Sequence, residues 1–390
     1  MRIIQASYII PLNSAPIANG YLYMEDDGTI IHITKEAPIT DQFKVEEYDG
    51  ILCPGFINTH CHLELSHMKG MMTEASGLPA FVDQIPKQRQ KSKLDLSRSI
   101  KQGDEEMQQS GIVAVGDISN TDATIEIKSE SPIQYHSFVE LFGLNKNEAT
   151  PILNEGLQTL KKFETNDLSA SLVPHAPYSV SIDLLKGIYA HNKKNLLSIH
   201  HQETPSENEL FLEGQGELAD MLLKKGRDLG AHLNAGKNAT EFSLTPYLST
   251  DQKILLVHNT YSSASDINGV LSHFTNAYWC TCPKANWYIE RDLPDYNLWR
   301  KKGLKITVGT DSLASNDSMS ILEELKLIQN KFPNIPTHEL LSWACKNGAE
   351  YFEFDSLGSF KAGNKPGVVL IEQVDGLRLT PESRVRVLSR

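Results

Sequence analysis

Two histidines in the stretch "GFINTHCHLELSH", His60 and His62, are spaced to hold a metal ion. Residues two apart on a strand project the same way, so both imidazoles can face one ion while Cys61 turns away. Glu64 and His67 follow within the same stretch. Further donors of the same kind stand at the ends of later apolar runs: His200 or His201 in "SIHHQE" and Asp311 in "VGTDS". Neutral imidazole and carboxylate are ligands that zinc, iron and manganese accept. Three His and one Asp leave a position for water, whose pKa a bound ion lowers towards about 7. Strand parity does not separate His200 from His201, because a strand buried on both faces hides either. The spacing His200-x-x-Glu203 favours His200, since it sets a carboxyl beside the ion and not on it. Cys280 and Cys282 have no second Cys pair to complete a thiolate site and read as core packing.

Such residues need a frame that brings distant segments together. Eight short apolar runs recur between about residues 50 and 315: "GILCPGFINTH", "GIVAVGDISN", "IQYHSFVELFG", "LSASLVPHAP", "NLLSIHHQE", "ILLVHNTYSS", "AYWCTCPKAN" and "LKITVGTDS". Between them lie stretches of helical period, among them "DLSRSIKQGDEEMQQ", "SIDLLKGIYAHNKK", "ENELFLEGQGELADMLLKK" and "DSMSILEELKLIQNKF". Strand and helix alternating in this way predict an α/β fold, a (β/α)8 TIM barrel with its active site at the C-terminal rim of the strands. His60, His62, His175, His200, Glu203, His258, Asn286 and Asp311 all fall at predicted strand tips. Short strands with Gly, Asn and Asp turns at both ends predict a small β-sandwich domain built from the two termini. The expected division is 1–50 and 359–390 for that domain and 51–358 for the barrel. A long insertion after the first strand, "MKGMMTEASGLPAFVDQIPKQRQKS", reads as a loop and short helix at the barrel mouth.

Composition narrows the partners. The chain of 390 residues is 40% hydrophobic and carries a formal net charge of −12. That balance, without a Lys/Arg block, argues against a grip on nucleic acid and for a small-molecule substrate. A nucleic-acid deaminase would also show His-x-Glu with a paired Cys-x-x-Cys, and none is present. No window approaches the run of about 20 apolar residues that a membrane span needs, and the N-terminus has no signal-type apolar core. Five cysteines, an odd number spread thinly, fit reduced thiols and a cytoplasmic protein.

The motifs "PGFINTHCHLELS", "VPHAPYSVS", "SIHHQET", "LLVHNT", "CPKANWYI", "VGTDSLASNDSMSILEEL" and "NGAEYF", in this order, resemble the amidohydrolase superfamily in its branch of mononuclear deaminases and chlorohydrolases. The resemblance implies one divalent metal, zinc or iron with manganese a further choice, on His60, His62, His200 and Asp311. It implies that Glu203 shuttles protons, that His258 orients the attacking water and that His175 lines the substrate pocket. Relatives with two metals bridge them by a modified Lys at the end of strand four; "LSASLVPHAP" has no Lys, which favours the mononuclear subtype. Family resemblance also points to a homodimer.

The residue types suit hydrolytic deamination of an aromatic amidine such as an adenine ring. Glu203 would protonate the ring nitrogen and then the leaving amine, Asp311 would take the proton of water, and His258 would stabilise the adduct. Tyr178, beside His175, offers an apolar wall, while Ser181 reads as a helix N-cap. Glu64 either reaches the pocket or fixes its loop. The first-loop pattern looks most like enzymes that deaminate 6-amino-6-deoxyfutalosine on the route to menaquinone. Phe81 and Ile85 would then cover a carboxyaryl group, with Arg89 or Lys87 on its carboxylate. The alternatives are a chlorohydrolase, or a guanine, cytosine or S-adenosylhomocysteine deaminase, with the same metal centre; a silent scaffold barrel would lack bound metal.

Overall fold

The computed structural model describes residues 1–39, 44–91, 95–192, 196–230, 232 and 236–390. The last residues of the stretches "SIDLLKGIYAHNKK" and "MKGMMTEASGLPAFVDQIPKQRQKS" lie outside that set. Eight parallel strands follow chain order in two sheets of four. Phe56–Cys61, Ile112–Ser119, Gln134–Leu141 and Ser169–Pro174 make one; Leu197–His201, Ile254–His258, Ala277–Thr281 and Ile306–Val308 make the other. Every residue of Leu197–His201, Ile254–His258 and Ala277–Thr281 is buried, which is why these strands read as unbroken apolar runs. The sheets meet at both seams. His200 N–H donates to His175 O at 2.9 Å, and at the other seam Thr310 and Asp311 N–H both donate to His60 O at 3.1 Å. The arrangement is of the barrel type, with its closing contacts at the C-terminal rim where the chemically loaded residues lie.

Local chemistry sets the helix ends. Asp95, Ser181 and Ser263 cap helices Leu96–Gln109, Ile182–His191 and Ala264–His273 by accepting a backbone N–H three residues on. The stretch "ENELFLEGQGELADMLLKK" is two helices, Pro205–Glu213 and Glu217–Lys224. Gly214, in the left-handed conformation at φ 72°, ends the first of them.

Two expectations are corrected. The run "GILCPGFINTH" is not one strand: Val45–Pro54 and Phe56–Cys61 belong to different sheets. The chain crosses between them at Gly55, where a Cβ would meet Val113 Cγ1 at 2.4 Å and Pro366 O at 2.9 Å. The terminal segments form one six-stranded sheet and not a two-sheet sandwich, in the order Arg384–Ser389, Val368–Glu372, Val45–Pro54, Arg2–Ile9, Ile17–Met24, Ile30–Thr34. The reason is the shared strand Val45–Pro54, parallel to Arg2–Ile9 on one side and antiparallel to Val368–Glu372 on the other. One face of this sheet, with Ile4, Leu22, Leu52 and Leu370, encloses a small core closed by Phe360. The opposite face, with Ile51, Cys53, Val369 and Ile371, joins the main core.

The insertion forms helix Leu78–Lys91 above the barrel rim. It is tied to the segment after the seventh barrel strand: Ala75 N–H to Tyr288 O at 2.7 Å, Gly77 N–H to Ile289 O at 3.1 Å, and Leu78 N–H to Glu290 Oε1 at 2.7 Å. A second apolar cluster, including Met68, Phe81, Tyr178 and Phe211, packs beneath it. Among the described residues no helix is long and apolar enough to cross a membrane.

Candidate active site

Strand one does not pair evenly with strand two. Asn58 stands opposite Val115 but Cys61 opposite Asp117, so strand one carries an extra residue just where the His-x-His lies. Such a bulge bends a strand and re-aims its side chains. His60 and His62 thereby meet residues from the opposite side of the rim. His62 Nε2 lies 3.2 Å from His60 Nε2, 3.3 Å from His200 Nε2 and 3.3 Å from Asp311 Oδ1. His60 Nε2 lies 3.5 Å from the same oxygen. Four N and O ligands tetrahedral about one ion at 2.0–2.1 Å would stand about 3.3 Å from one another.

Protonation agrees with that spacing. Burial lowers the pKa of His60, that of His62 to about 4, and that of His200 well below its ordinary value, so the imidazoles are neutral at neutral pH. Burial alone would raise Asp311, but the hydrogen bond with His60 and the neighbouring imidazoles hold it well below the usual carboxylate range. Ser315 Oγ donates to Asp311 Oδ2 at 2.5 Å, leaving Oδ1 for the cluster. His200 donates its Nδ1 proton to His175 O at 2.8 Å, so its Nε2 presents a lone pair. Lone pairs converging at this distance repel unless positive charge lies between them. The cluster can therefore bind a metal ion.

Around it lie the remaining candidates. His201 is turned away, bonded to Asn259 Oδ1 and Thr240 Oγ1, both at 2.9 Å. His258 faces the cluster with its ring centroid 5.5 Å from that of His200, and donates Nδ1–H to Asn286 Oδ1 at 2.7 Å. Its Nε2 is 3.5 Å from Glu203 Oε1. Burial first, then the charges of Asp311 and Glu290, push the Glu203 carboxyl well above its ordinary pKa, which favours its proton-carrying form. Gln202, His258 and Asp311, at the tips of three strands, have φ of 46°, 71° and 55°. Left-handed non-glycine residues are costly and cluster at functional sites.

Four substrate candidates remain. His175 Nδ1 is 2.7 Å from Ser179 Oγ, and burial lowers its pKa to about 3. Tyr178 is buried with its ring edge-on to His175, 5.8 Å between centroids. Glu64 Oε1 accepts from Thr121 N–H at 2.9 Å and Thr121 Oγ at 2.8 Å, so it does fix its loop. Its buried Oε2 has no hydrogen-bond partner; the Arg89 guanidinium stands 3.9 Å away. Lys87 is bound to Asp83 on the exposed face of helix Leu78–Lys91, which removes it from the pocket. His67 closes a turn through Nδ1 to Glu64 O at 3.0 Å. Cys280 and Cys282 are buried, as packing residues are.

Glu140 escaped the sequence reading. Its buried Oε1 lies 3.4 Å from His200 Nδ1 and has no hydrogen-bond partner, and Asn120 Nδ2 donates to its Oε2 at 3.1 Å. Burial raises its pKa to about 8. The signal was a lone carboxyl in the apolar strand "FVELF".

Known proteins share this architecture. The Helicobacter pylori protein named adenosine deaminase is 27% identical over 311 residues, 77% of this chain and 74% of its own. The Nitratiruptor protein named aminodeoxyfutalosine deaminase is 27% identical over 338 residues, 84% of this chain and 80% of its own. The solved structure of Helicobacter pylori aminofutalosine deaminase with methylthio-coformycin has the same fold, with a TM-score of 0.81 at 23% identity, covering 97% of this chain and 94% of that one. Residues 51–387 match the family model described as the amidohydrolase family, from the end of the terminal-sheet strand Val45–Pro54 through all eight barrel strands. A match over that span, around a cluster of neutral imidazoles and one ionised carboxylate, makes this chain a member of the amidohydrolase family.

Proposed function

We propose that the protein is a metal-dependent hydrolase that converts the amine of an adenine-type nucleoside to a carbonyl and releases ammonia. The observation that carries this reading is the buried Glu203 carboxyl, 3.5 Å from His258 Nε2 and three residues after His200, with its pKa pushed well up by burial. Amine loss from an aromatic amidine uses an acid twice, at the ring nitrogen and at the leaving amine, whereas carbon–chlorine hydrolysis uses it only at the ring nitrogen. The relatives named for deamination support it. One divalent ion on His60, His62, His200 and Asp311, with zinc or iron ahead of manganese, supplies the Lewis acidity that makes water nucleophilic near neutral pH.

The chain's own groups divide the proton work. Glu203 gives its proton to the ring nitrogen beside the amino-bearing carbon, so that attack does not leave charge on the ring. Asp311 takes the proton of the attacking water. His258, whose Nδ1 proton goes to Asn286 Oδ1, presents the lone pair of Nε2, which accepts a hydrogen bond from the attacking water and orients it; the neutral ring has no proton there to stabilise an oxyanion. Asp311 passes that proton to the amine, which leaves as ammonia as its C–N bond breaks, and the adduct's hydroxyl gives its proton to Glu203 as the carbonyl forms, so water's two protons end on ammonia and Glu203. In this reading His175, Tyr178 and Glu64 line the nucleoside pocket, and Arg89, 3.9 Å from Glu64 Oε2, is the candidate partner of a carboxylate on the 5′ substituent. The relative named aminodeoxyfutalosine deaminase supports 6-amino-6-deoxyfutalosine over adenosine and a place in menaquinone biosynthesis. Buried thiols fit a reducing cytoplasm.

The test is ammonia release, followed with the ultraviolet change of amine to carbonyl, from adenosine, 6-amino-6-deoxyfutalosine, S-adenosylhomocysteine and guanine. A higher kcat/KM for 6-amino-6-deoxyfutalosine is expected. No ammonia from any adenine nucleoside by the zinc- or iron-loaded protein would refute the deaminase reading.

A further inference from the structure

A fully buried ion pair lies behind strand one and takes no part in the chemistry above. Lys128, on helix Ile125–Glu130, places Nζ 2.6 Å from Asp117 Oδ2, and both side chains are wholly out of solvent. Lys128 also donates to Ser137 Oγ at 2.8 Å and Ser119 Oγ at 3.0 Å, with the ring of Phe163 centred 5.0 Å away. Burying two charges at such a place seldom stabilises a fold more than apolar side chains of the same size would. Its consequence is found at the other carboxylate oxygen. Asp117 Oδ1 accepts Leu63 N–H at 2.7 Å and Cys61 S–H at 3.3 Å.

Those two donors bracket His62. The bulge between Asn58 and Cys61 breaks the regular ladder here, so the segment that carries both histidines has lost part of its backbone register. Across the other seam His60 O is held by Thr310 and Asp311 N–H. Asp117 supplies the matching hold on the strand-two side, and Lys128 with the two serines locks the Asp117 rotamer.

We propose that Asp117 is a positioning residue for the His60–His62 pair, acting through its acceptor to Leu63 N–H, and that Lys128 serves to hold Asp117 in that orientation. The inference rests on the metal-site reading. It does not depend on which substrate is used.

Two double variants isolate the acceptor. Asp117→Asn/Lys128→Met keeps an oxygen for Leu63 N–H without either charge, and Asp117→Leu/Lys128→Met removes charges and acceptor together. Zinc affinity is read by competition with a chromophoric chelator, alongside the thermal midpoint of the metal-free protein. The Asn form should bind zinc within a few-fold of wild type. The Leu form should fold yet bind weaker by about 10–100-fold, the range typical of groups that orient metal ligands. If the Leu form does not fold, Asp117→Ala/Lys128→Met makes the same comparison. Wild-type affinity in the folded acceptor-less form overturns the proposal, as does an equal loss in both forms. A wild-type protein that binds no zinc or iron removes the metal reading, and this inference with it.

Discussion

Glu203 lies 3.5 Å from His258 Nε2, and burial above all pushes its carboxyl well above the ordinary pKa. A group used to give and take one proton should be replaceable by an amide without disturbing the ion beside it. Glu203→Gln is therefore expected to retain bound metal by elemental analysis while kcat falls by roughly two to four powers of ten. Metal loss in that variant would instead make Glu203 a ligand. His60→Ala and Asp311→Ala should each purify with far less than one equivalent of zinc or iron, because each removes a donor from a cluster joined by contacts of 3.2 to 3.5 Å. Full occupancy in both would exclude the ligand set.

At the scale of elements, helix Pro205–Glu213 shows how a loop is aimed. Glu207 Oε2 accepts Glu203 N–H at 3.3 Å from within the first turn, while its buried Oε1 has no partner. Burial raises the Glu207 pKa to about 8. Between about pH 4.5 and 8 the folded chain therefore keeps a proton that the unfolded chain has released, and this group's contribution to stability is lost as pH rises through that window. Glu207→Gln keeps an acceptor and has nothing to ionise. Relative to wild type it should gain stability from pH 5 to pH 8, by up to about 1.4 kcal/mol per pH unit. Denaturant curves at the two pH values check this, and parallel changes in the two proteins would contradict it. The mouth helix Leu78–Lys91 makes a different prediction. Arg89→Ala should lower kcat/KM for a nucleoside with a carboxylate on its 5′ substituent by about tenfold, the scale of one charge-assisted contact, with adenosine unaffected. An equal loss on both substrates would move Arg89 out of the specificity role.

For the whole molecule, the joint between terminal sheet and barrel is the strand Val45–Pro54, which pairs with both ends of the chain. Gly50 permits that pairing. Its φ is +142°, and a Cβ there would lie 2.3 Å from Ile371 O. Gly50→Ala should destabilise the protein by about 1–3 kcal/mol, the usual cost of overpacking, and lower its thermal midpoint. The site lies at the far end of the barrel strands, so KM of the folded fraction should not move. A changed KM would show that the sheet reaches the site.

Local pattern by itself determined the alternation of buried strands and amphipathic helices, the helix cap at Ser181, and the histidine pair in "HCH", because each depends on neighbours only a few residues away. It also marked His200 and Asp311 as strand-tip residues, though His200 was separable from His201 only by the spacing to Glu203. Tertiary structure decided what depends on register between distant segments. The bulge that re-aims His60 and His62 exists only relative to strand two. The terminal segments became one sheet because Val45–Pro54 serves as a partner to both. Glu140, Asp117 and Lys128 carry no motif, since a buried carboxyl or ammonium is specified by what surrounds it and not by its own position in the chain. Lys87 pairs with Asp83 four residues back on its own helix, whereas only packing set Arg89 beside Glu64.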